Sequence, residues 1–363
     1  FISRYDKIEN KIFFLTPLIL LLMPEFYLHG GVVSTDTILN FAIILVMLSF
    51  WEAVGKESGG KWWYIFFIGI GLGLLSKGPI ILILTITPIF IWICIHKEEF
   101  RKLKKIPILS GLLLTCLISC PWYYLTELKS PGFINYFIYG EHFKRFFDSS
   151  WKGDLYGFPK QQPFGIIWLF SILAIFPWSL LIVAKFKKII KDAYTNKWIS
   201  FLICWMLFTP IFFTFSKSLI HPYTLPITVP ASLLVTHYWS EIKFKKYYLS
   251  IPILSYLVIL PIFYSGFVDK TIESNCDKGL VKNKLVSDYS LYYLNFKSFS
   301  SQFYSLGSIE KINVDQLRNK LINKEKFMII VEKSEINKLD SFIIERLIEI
   351  DDTGKKQMYV SNF

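Results

Sequence analysis

Nine long apolar runs constrain this chain more than any other feature. They lie at about residues 12–28, 36–54, 62–76, 79–95, 106–124, 163–184, 198–215, 222–239 and 248–265. A helix of about 20 apolar residues crosses the hydrocarbon core of a bilayer. Most of the runs reach that length. The 62–76 and 79–95 runs are short and share the break "SKGP", which fits a tight hairpin or a re-entrant pair. In lipid every backbone polar group needs a partner within the protein, so the runs are expected to be helices. The predicted architecture is a polytopic α-helical membrane protein with about nine spans. Composition agrees, because a chain that is 53% hydrophobic and only 19% charged is too apolar for a soluble enzyme.

The formal net charge is +12, and it is unevenly placed. Residues 1–265 hold 25 Lys+Arg against 14 Asp+Glu, whereas residues 266–363 hold 15 against 14. The excess therefore lies in loops between apolar runs, not on a folded basic face, and nucleic-acid binding is excluded. Nine spans alternate the loops between two faces. One face receives residues 1–11, "GKESGGK", "HKEEFRKLKK", "KFKKIIKDAYTNK" and "SEIKFKK", with 18 Lys+Arg. The other receives "LHGGVVSTD", "SKGP", residues 125–162 and "SKSLIHPY", with seven. Cytoplasmic loops carry the excess of Lys and Arg, so the second face is predicted to be external. In a bacterial inner membrane that face is periplasmic.

An odd number of spans also puts residues 266–363 outside, where the pattern changes. "KINVDQLRNKLINKEKFMIIVEK" reads as an amphipathic helix and then a strand, and "QMYVSN" as a closing strand. The expected domains are a membrane domain, 1–265, and a small periplasmic α/β soluble domain, 266–363. Four of the five cysteines, Cys94, Cys116, Cys120 and Cys204, lie in apolar runs and read as small buried hydrophobes. No signal peptide is read at the start of the chain.

The conspicuous polar residues near membrane edges all fall on the external face. They are Asp36, Lys77, Glu141, His142, Arg145, Lys217, His221 and Tyr223. Each also has a plain structural reading. Asp36 suits a helix N-cap, Lys77 suits an interfacial side chain, and Tyr223 suits the aromatic belt. "EHFKRF" suits an interfacial helix with Phe143, Phe146 and Phe147 in lipid. Taken together the chemistry is narrower. Arg grips two phosphate oxygens in a fork, Lys adds a point charge, and a nearby acid orients or deprotonates a hydroxyl. Charges at membrane depth are usually functional. A lipid phosphate donor fits this set, and no nucleotide-binding motif is present. His29, His96 and His237 stand singly and are assigned no role. No His/Cys/Asp spacing suggests a metal, so no cofactor is expected and a divalent metal is left open.

Four blocks, "VVSTDTILNFAIIL", "GIGLGLLSKGPI", "FINYFIYGEHFKRFF" and "SKSLIHPYTLPITVPASLL", resemble in order the ArnT-like branch of the aminoarabinose transferase and protein O-mannosyltransferase group. The resemblance implies a GT-C-type fold. It implies an inverting glycosyltransferase that moves a sugar, such as aminoarabinose, from a polyprenyl-phosphate carrier to lipid A at the periplasmic face. It assigns Lys77, Arg145 and Tyr223 to the carrier phosphate and makes Asp36 the catalytic acid of the "STD" block. Glu141, His142, Lys217 and His221 would line the site. The family's acidic pair in a first external loop has no match here. The expectation is therefore either that the first helices and that loop are missing from this chain, which a start at Phe1 favours, or that the protein is inactive as given. The competing expectations are the same chemistry on protein or on a cell-envelope polymer, and a non-enzymatic lipid-binding or transport protein. Transporters often show paired repeats and midplane charges, and neither is evident here.

The topology makes a direct prediction. A cysteine introduced within residues 125–162 is labelled by a membrane-impermeant thiol reagent in intact spheroplasts, and one within 97–105 is not. The reverse pattern would invert the orientation.

Overall fold

The computed structural model describes residues 14–32, 34–55, 60–148, 151, 160–266, 276–284, 289–295 and 298–363. The chain divides into two compact units at Leu254/Ser255. That boundary falls inside the helix Lys245–Tyr264, which follows the last apolar run.

In the first unit the apolar runs are helical, as lipid requires. Thr35–Gly55, Lys61–Lys77, Ile80–Ile95, Ile108–Lys129, Lys197–Phe213 and Leu225–His237 each follow one run. Thr35–Gly55 and Ile108–Lys129 are each unbroken, long and apolar enough to cross a membrane. Two runs expected as single spans are instead broken. The 163–184 run forms Ile166–Ala174 and Trp178–Ala184, bent by 108°. Pro177, which lacks an N–H and cannot continue a helix ladder, stands at that break. The 12–28 run becomes Leu15–Leu21 and Pro24–Gly30. Pro24 opens the second piece, where its missing N–H would have had no helical partner anyway. Phe186–Ala193 meets Lys197–Phe213 at 120°. There the Asn196 side chain caps the longer helix by accepting from the N–H groups of Trp198 and Ile199.

Thr35–Gly55 is the inner helix of this unit. Ala42, Ile43, Val46 and Met47 on it are fully buried. Lys61–Lys77 returns along it, and Gly69 sets how close the two backbones come. A Cβ at Gly69 would sit 2.8 Å from Val46 Cγ2 and 3.1 Å from the Val46 nitrogen. Small residues permit such approach where lipid supplies no hydrophobic drive between helices. Gly111 likewise faces the Phe67 ring, and Gly73 faces Ile81. Phe50, Trp51, Trp92, Trp198 and Phe201 pack together toward the other end of Thr35–Gly55, remote from Asp36; Trp51 and Trp198 centroids are 4.7 Å apart. A cavity of about 260 Å³, lined by Trp51, Trp92, Glu99, Lys102 and Lys197 among others, lies at that remote end.

Ile108–Lys129 instead leaves Leu109, Leu113 and Leu117 exposed, as suits a lipid-facing surface. Cys94, Cys116 and Cys120 are exposed too, so the buried reading of these cysteines is corrected. Apolar residues in a membrane protein face lipid as readily as core.

The second unit contains a five-stranded sheet. Its strands are β1 Ser290–Leu294, β2 Glu310–Ile312, β3 Phe327–Glu332, β4 Leu347–Asp352 and β5 Lys356–Ser361. The order is β2-β1-β3-β5-β4. β1 pairs parallel with β2 and β3, while β5 pairs antiparallel with β3 and β4. Helix Val314–Ile322 links β2 to β3 and opens on a capping box between Asn313 and Gln316. The central strand β3 is apolar from Phe327 to Val331 because both its faces are covered there. Leu291, Tyr293, Met328, Ile330 and Met358 face one core. Leu294, Ile312, Phe327, Ile329 and Val331 face the other. The fully buried Asp277 is held by Lys356 Nζ at 2.5 Å and by the Ser298 hydroxyl. Burial, with Asp277 and Glu332 nearby, pushes the Tyr293 phenol well above its usual range, so Tyr293 is a neutral core residue.

Gly69→Val should force the two inner helices apart. The expected loss is about 1–3 kcal/mol, as for overpacking of a close-packed interior. A thermal unfolding midpoint in detergent equal to that of the unaltered protein would contradict this packing.

Candidate functional site

The site begins with two antiparallel helix ends. Asp36 lies in the first turn of Thr35–Gly55, and Lys77 in the last turn of Lys61–Lys77. The partial positive charge of a helix start favours a carboxylate, and the partial negative charge of a helix end favours an ammonium. The two termini meet, and Lys77 Nζ donates to Asp36 Oδ1. Asp36 is buried, with 8% of its surface exposed, so this partner satisfies a charge that would otherwise be costly. The Ser34 hydroxyl accepts from the Asp36 N–H at 3.1 Å and donates to Asp36 Oδ2 at 3.3 Å. Ser34 therefore supplies the cap, and the Asp36 carboxylate is left for Lys77 instead of acting as the N-cap.

Lys77 also stands 4.7 Å from the centroid of the Tyr223 ring, a cation–π contact. Tyr223 belongs to the short 3₁₀ turn His221–Thr224 and stacks on Phe213, with centroids 4.7 Å apart. Asp36, Lys77 and Tyr223, from sequence positions far apart, thus form one contiguous group.

The segment from Asn135 to Lys144 is a π-helix, a wide form that recurs at functional sites. Its five-residue spacing brings His142 back on Phe137 and Glu141 back on Tyr136. His142 Nδ1 lies 2.7 Å from the Phe137 carbonyl, and Nε2 lies 2.8 Å from the Lys77 carbonyl. The imidazole thereby fastens the π-helix to the end of the helix that carries Lys77. Glu141 accepts from the Tyr136 hydroxyl and, at 2.7 Å, from Arg145 Nη1. Phe143 and Phe147 are exposed, consistent with an apolar interfacial side, while Phe146 packs on Phe212. The Lys217 N–H donates to the Phe146 carbonyl at 2.9 Å, tying the loop before Tyr223 to the same segment. The Lys217 side chain itself is exposed.

His221 turns away from this group. Its Nδ1 lies 2.9 Å from Glu25 Oε1, and His29 Nδ1 lies 3.2 Å from the same oxygen. Sequence reasoning passed over Glu25 and gave His29 no role. The usable signal was their spacing of four within "PEFYLHG", which sets both on one helix face. Among the described residues, Glu25, His29 and His221 are the group of His, Cys, Asp or Glu whose ligand atoms gather within 4.8 Å. No sequence spacing announces this group, which the fold alone assembles. Positions 25 and 221 are too distant in the chain for any spacing rule to join them.

One end of this helical bundle thus gathers cations, carboxylates and a phenol. The fold agrees with two solved structures of ArnT from Cupriavidus metallidurans. One, bound to undecaprenyl phosphate, matches with a TM-score of 0.72 and 12% identity over 95% of this chain and 78% of that one. The apo form gives 0.70 and 14% over the same shares. The family model for dolichyl-phosphate-mannose-protein mannosyltransferase matches residues 2–137. Undecaprenyl phosphate-alpha-4-amino-4-deoxy-L-arabinose arabinosyl transferase from Erwinia tasmaniensis is 26% identical over 66% of this chain and 41% of its own length. The same-named protein from Wigglesworthia glossinidia brevipalpis is 32% identical over 62% of this chain and 40% of its own. This chain thus spans about two fifths of the length of these relatives. These comparisons agree with the resemblance read from the four sequence blocks: the chain is similar to the arabinosyl transferases in sequence and shares the fold of the ArnT structures.

Gly78 joins the two halves of the site at φ +71°, and a Cβ there would sit 2.7 Å from the Phe137 ring and 2.8 Å from the His142 ring. Gly78→Ala should therefore dislodge His142 and destabilise by more than about 1 kcal/mol. A crystal or cryo-electron structure of the variant with His142 still on the Lys77 carbonyl would refute that role.

Proposed function

We propose that this chain forms the carrier-phosphate end of an inverting glycosyl transfer from a polyprenyl-phosphate sugar, with lipid A as acceptor, at the periplasmic face of the inner membrane. One observation carries the reading: Lys77 contacts both Asp36 and the Tyr223 ring, and His142 fastens the Arg145 segment to the same helix end. The names of the similar arabinosyl transferases, and the undecaprenyl phosphate in one similar structure, support the donor class.

In this reading the bond between the sugar C1 and the phosphate oxygen breaks as an acceptor oxygen attacks from the opposite side. The phosphate leaves with the electron pair. Lys77 and Arg145 stabilise that developing charge, and the Tyr223 hydroxyl donates to a phosphate oxygen. In the resting chain Asp36 and Glu141 hold these two cations in place without the donor. When the phosphate takes Lys77, the Asp36 carboxylate is released to orient the acceptor or take its proton. A protein acceptor is the second reading, favoured by the mannosyltransferase family model over residues 2–137.

In membranes containing the protein, Arg145→Ala and Lys77→Ala should each lower transfer from an undecaprenyl-phosphate-linked sugar by about 10- to 100-fold. That range matches the loss of about 1.5–3 kcal/mol for a hydrogen bond to a charged group. Turnover within about twofold of the unaltered protein would remove the phosphate role. Mass spectrometry of lipid A from cells with and without the gene decides the acceptor.

A further inference from the structure

We propose that Glu25, His29 and His221 form a binding site for a divalent transition-metal ion, best suited to zinc, beside the Tyr223 turn. The proposal goes beyond the glycosyl-transfer reading and does not require it.

The local fold assembles the site from two short elements. Pro24–Gly30 presents Glu25 and His29 one helical turn apart, and the turn His221–Thr224 brings His221 against them. The Glu25 carboxylate lies 2.9 and 3.2 Å from His221 Nδ1 and 3.2 Å from His29 Nδ1. Tetrahedral zinc with bonds of about 2.0–2.1 Å sets its ligand atoms about 3.3 Å apart. The two edges to Glu25 are close to that value, and all three ligand atoms lie within 4.8 Å of one another. The two imidazole centroids are 5.5 Å apart and tilted by 57°, so the rings do not stack face to face and one nitrogen of each can point inward.

Charge gives a second, independent argument. Glu25 is buried, with 5% of its surface exposed, and so is His29, with 6%. Among the described residues Glu25 has no lysine or arginine partner; its ion-pair contacts are the two histidines. A buried carboxylate needs compensating charge. A dication shared with two imidazoles supplies it and turns three closely crowded polar groups into ligands. Two imidazoles and a carboxylate are donors that suit zinc and its neighbours, not magnesium or calcium. His221 is exposed, which gives the ion a route in and leaves a coordination position for water. Since Tyr223 is two residues beyond His221, the ion would also clamp the turn that carries the phenol to helix Pro24–Gly30.

The test uses the detergent-purified protein stripped with EDTA. Zinc added at one equivalent should remain bound, one ion per chain, through gel filtration and elemental analysis. Cobalt(II) in its place should give visible d–d absorption. His221→Ala, at an exposed position, should weaken zinc binding by at least about tenfold and abolish the zinc-dependent rise in unfolding temperature. His29→Gln should do the same, and the exposed-site variant decides the matter if the buried one fails to fold. Zinc that does not stay bound to the unaltered protein, or that binds His221→Ala equally well, overturns the proposal. Either result would leave the three residues as a hydrogen-bonded cluster alone.

Discussion

The ion pair between Asp36 and Lys77 is the contact on which the rest of the site depends. It joins the start of one long helix to the end of its antiparallel neighbour, where each helix dipole already favours the charge it meets. At the edge of a membrane neither charge is stable without compensation. The pair therefore fixes which helix ends must be level with one another. Everything else in the cluster is referred to those two ends. Tyr223 lies against the ammonium, and His142 anchors the π-helix to the backbone of the same lysine.

The pair in turn relies on close packing along the whole length of both helices. In lipid no hydrophobic drive presses two apolar helices together, so contact must come from shape. Gly69 against Val46 provides that shape, and Gly73 against Ile81 sets the return of the next helix. The turn at Gly78 then needs a left-handed backbone and space for two rings. The glycines of "GIGLGLLSKGPI" are thus part of the site's construction although none carries chemistry. The cavity at the remote aromatic end has none of this arrangement.

Much of the fold was legible because lipid leaves the backbone few options. The apolar runs had to be helices, and the helix-then-strand pattern of "KINVDQLRNKLINKEKFMIIVEK" follows from its capping box and its apolar strand. The breaks in the 12–28 and 163–184 runs were less visible. Hydropathy averages over a proline, and the bend angle is set by the neighbours. The outward-facing cysteines were misjudged for a related reason, since sequence cannot tell lipid from core when both are apolar. In the site, Asp36, Lys77, Arg145 and Tyr223 stood out as charges and a phenol at membrane edges. Glu25 and His29 did not, because their significance lies in a partner 196 residues away.

The sequence by itself determined the helical membrane fold, the end of the bundle that carries polar chemistry, and the residue types available there. Those follow from local physics: hydrogen-bond satisfaction in lipid and the cost of placing charge near it. Only the tertiary structure decided the pairings. It showed that Ser34 and not Asp36 caps its helix, that the wide turn of a π-helix brings the Tyr136 hydroxyl to the Glu141 carboxylate that holds Arg145, and that His221 belongs with Glu25 and His29. Such pairings depend on distances of a few ångströms between residues that the chain order keeps far apart, and no local rule reaches that distance.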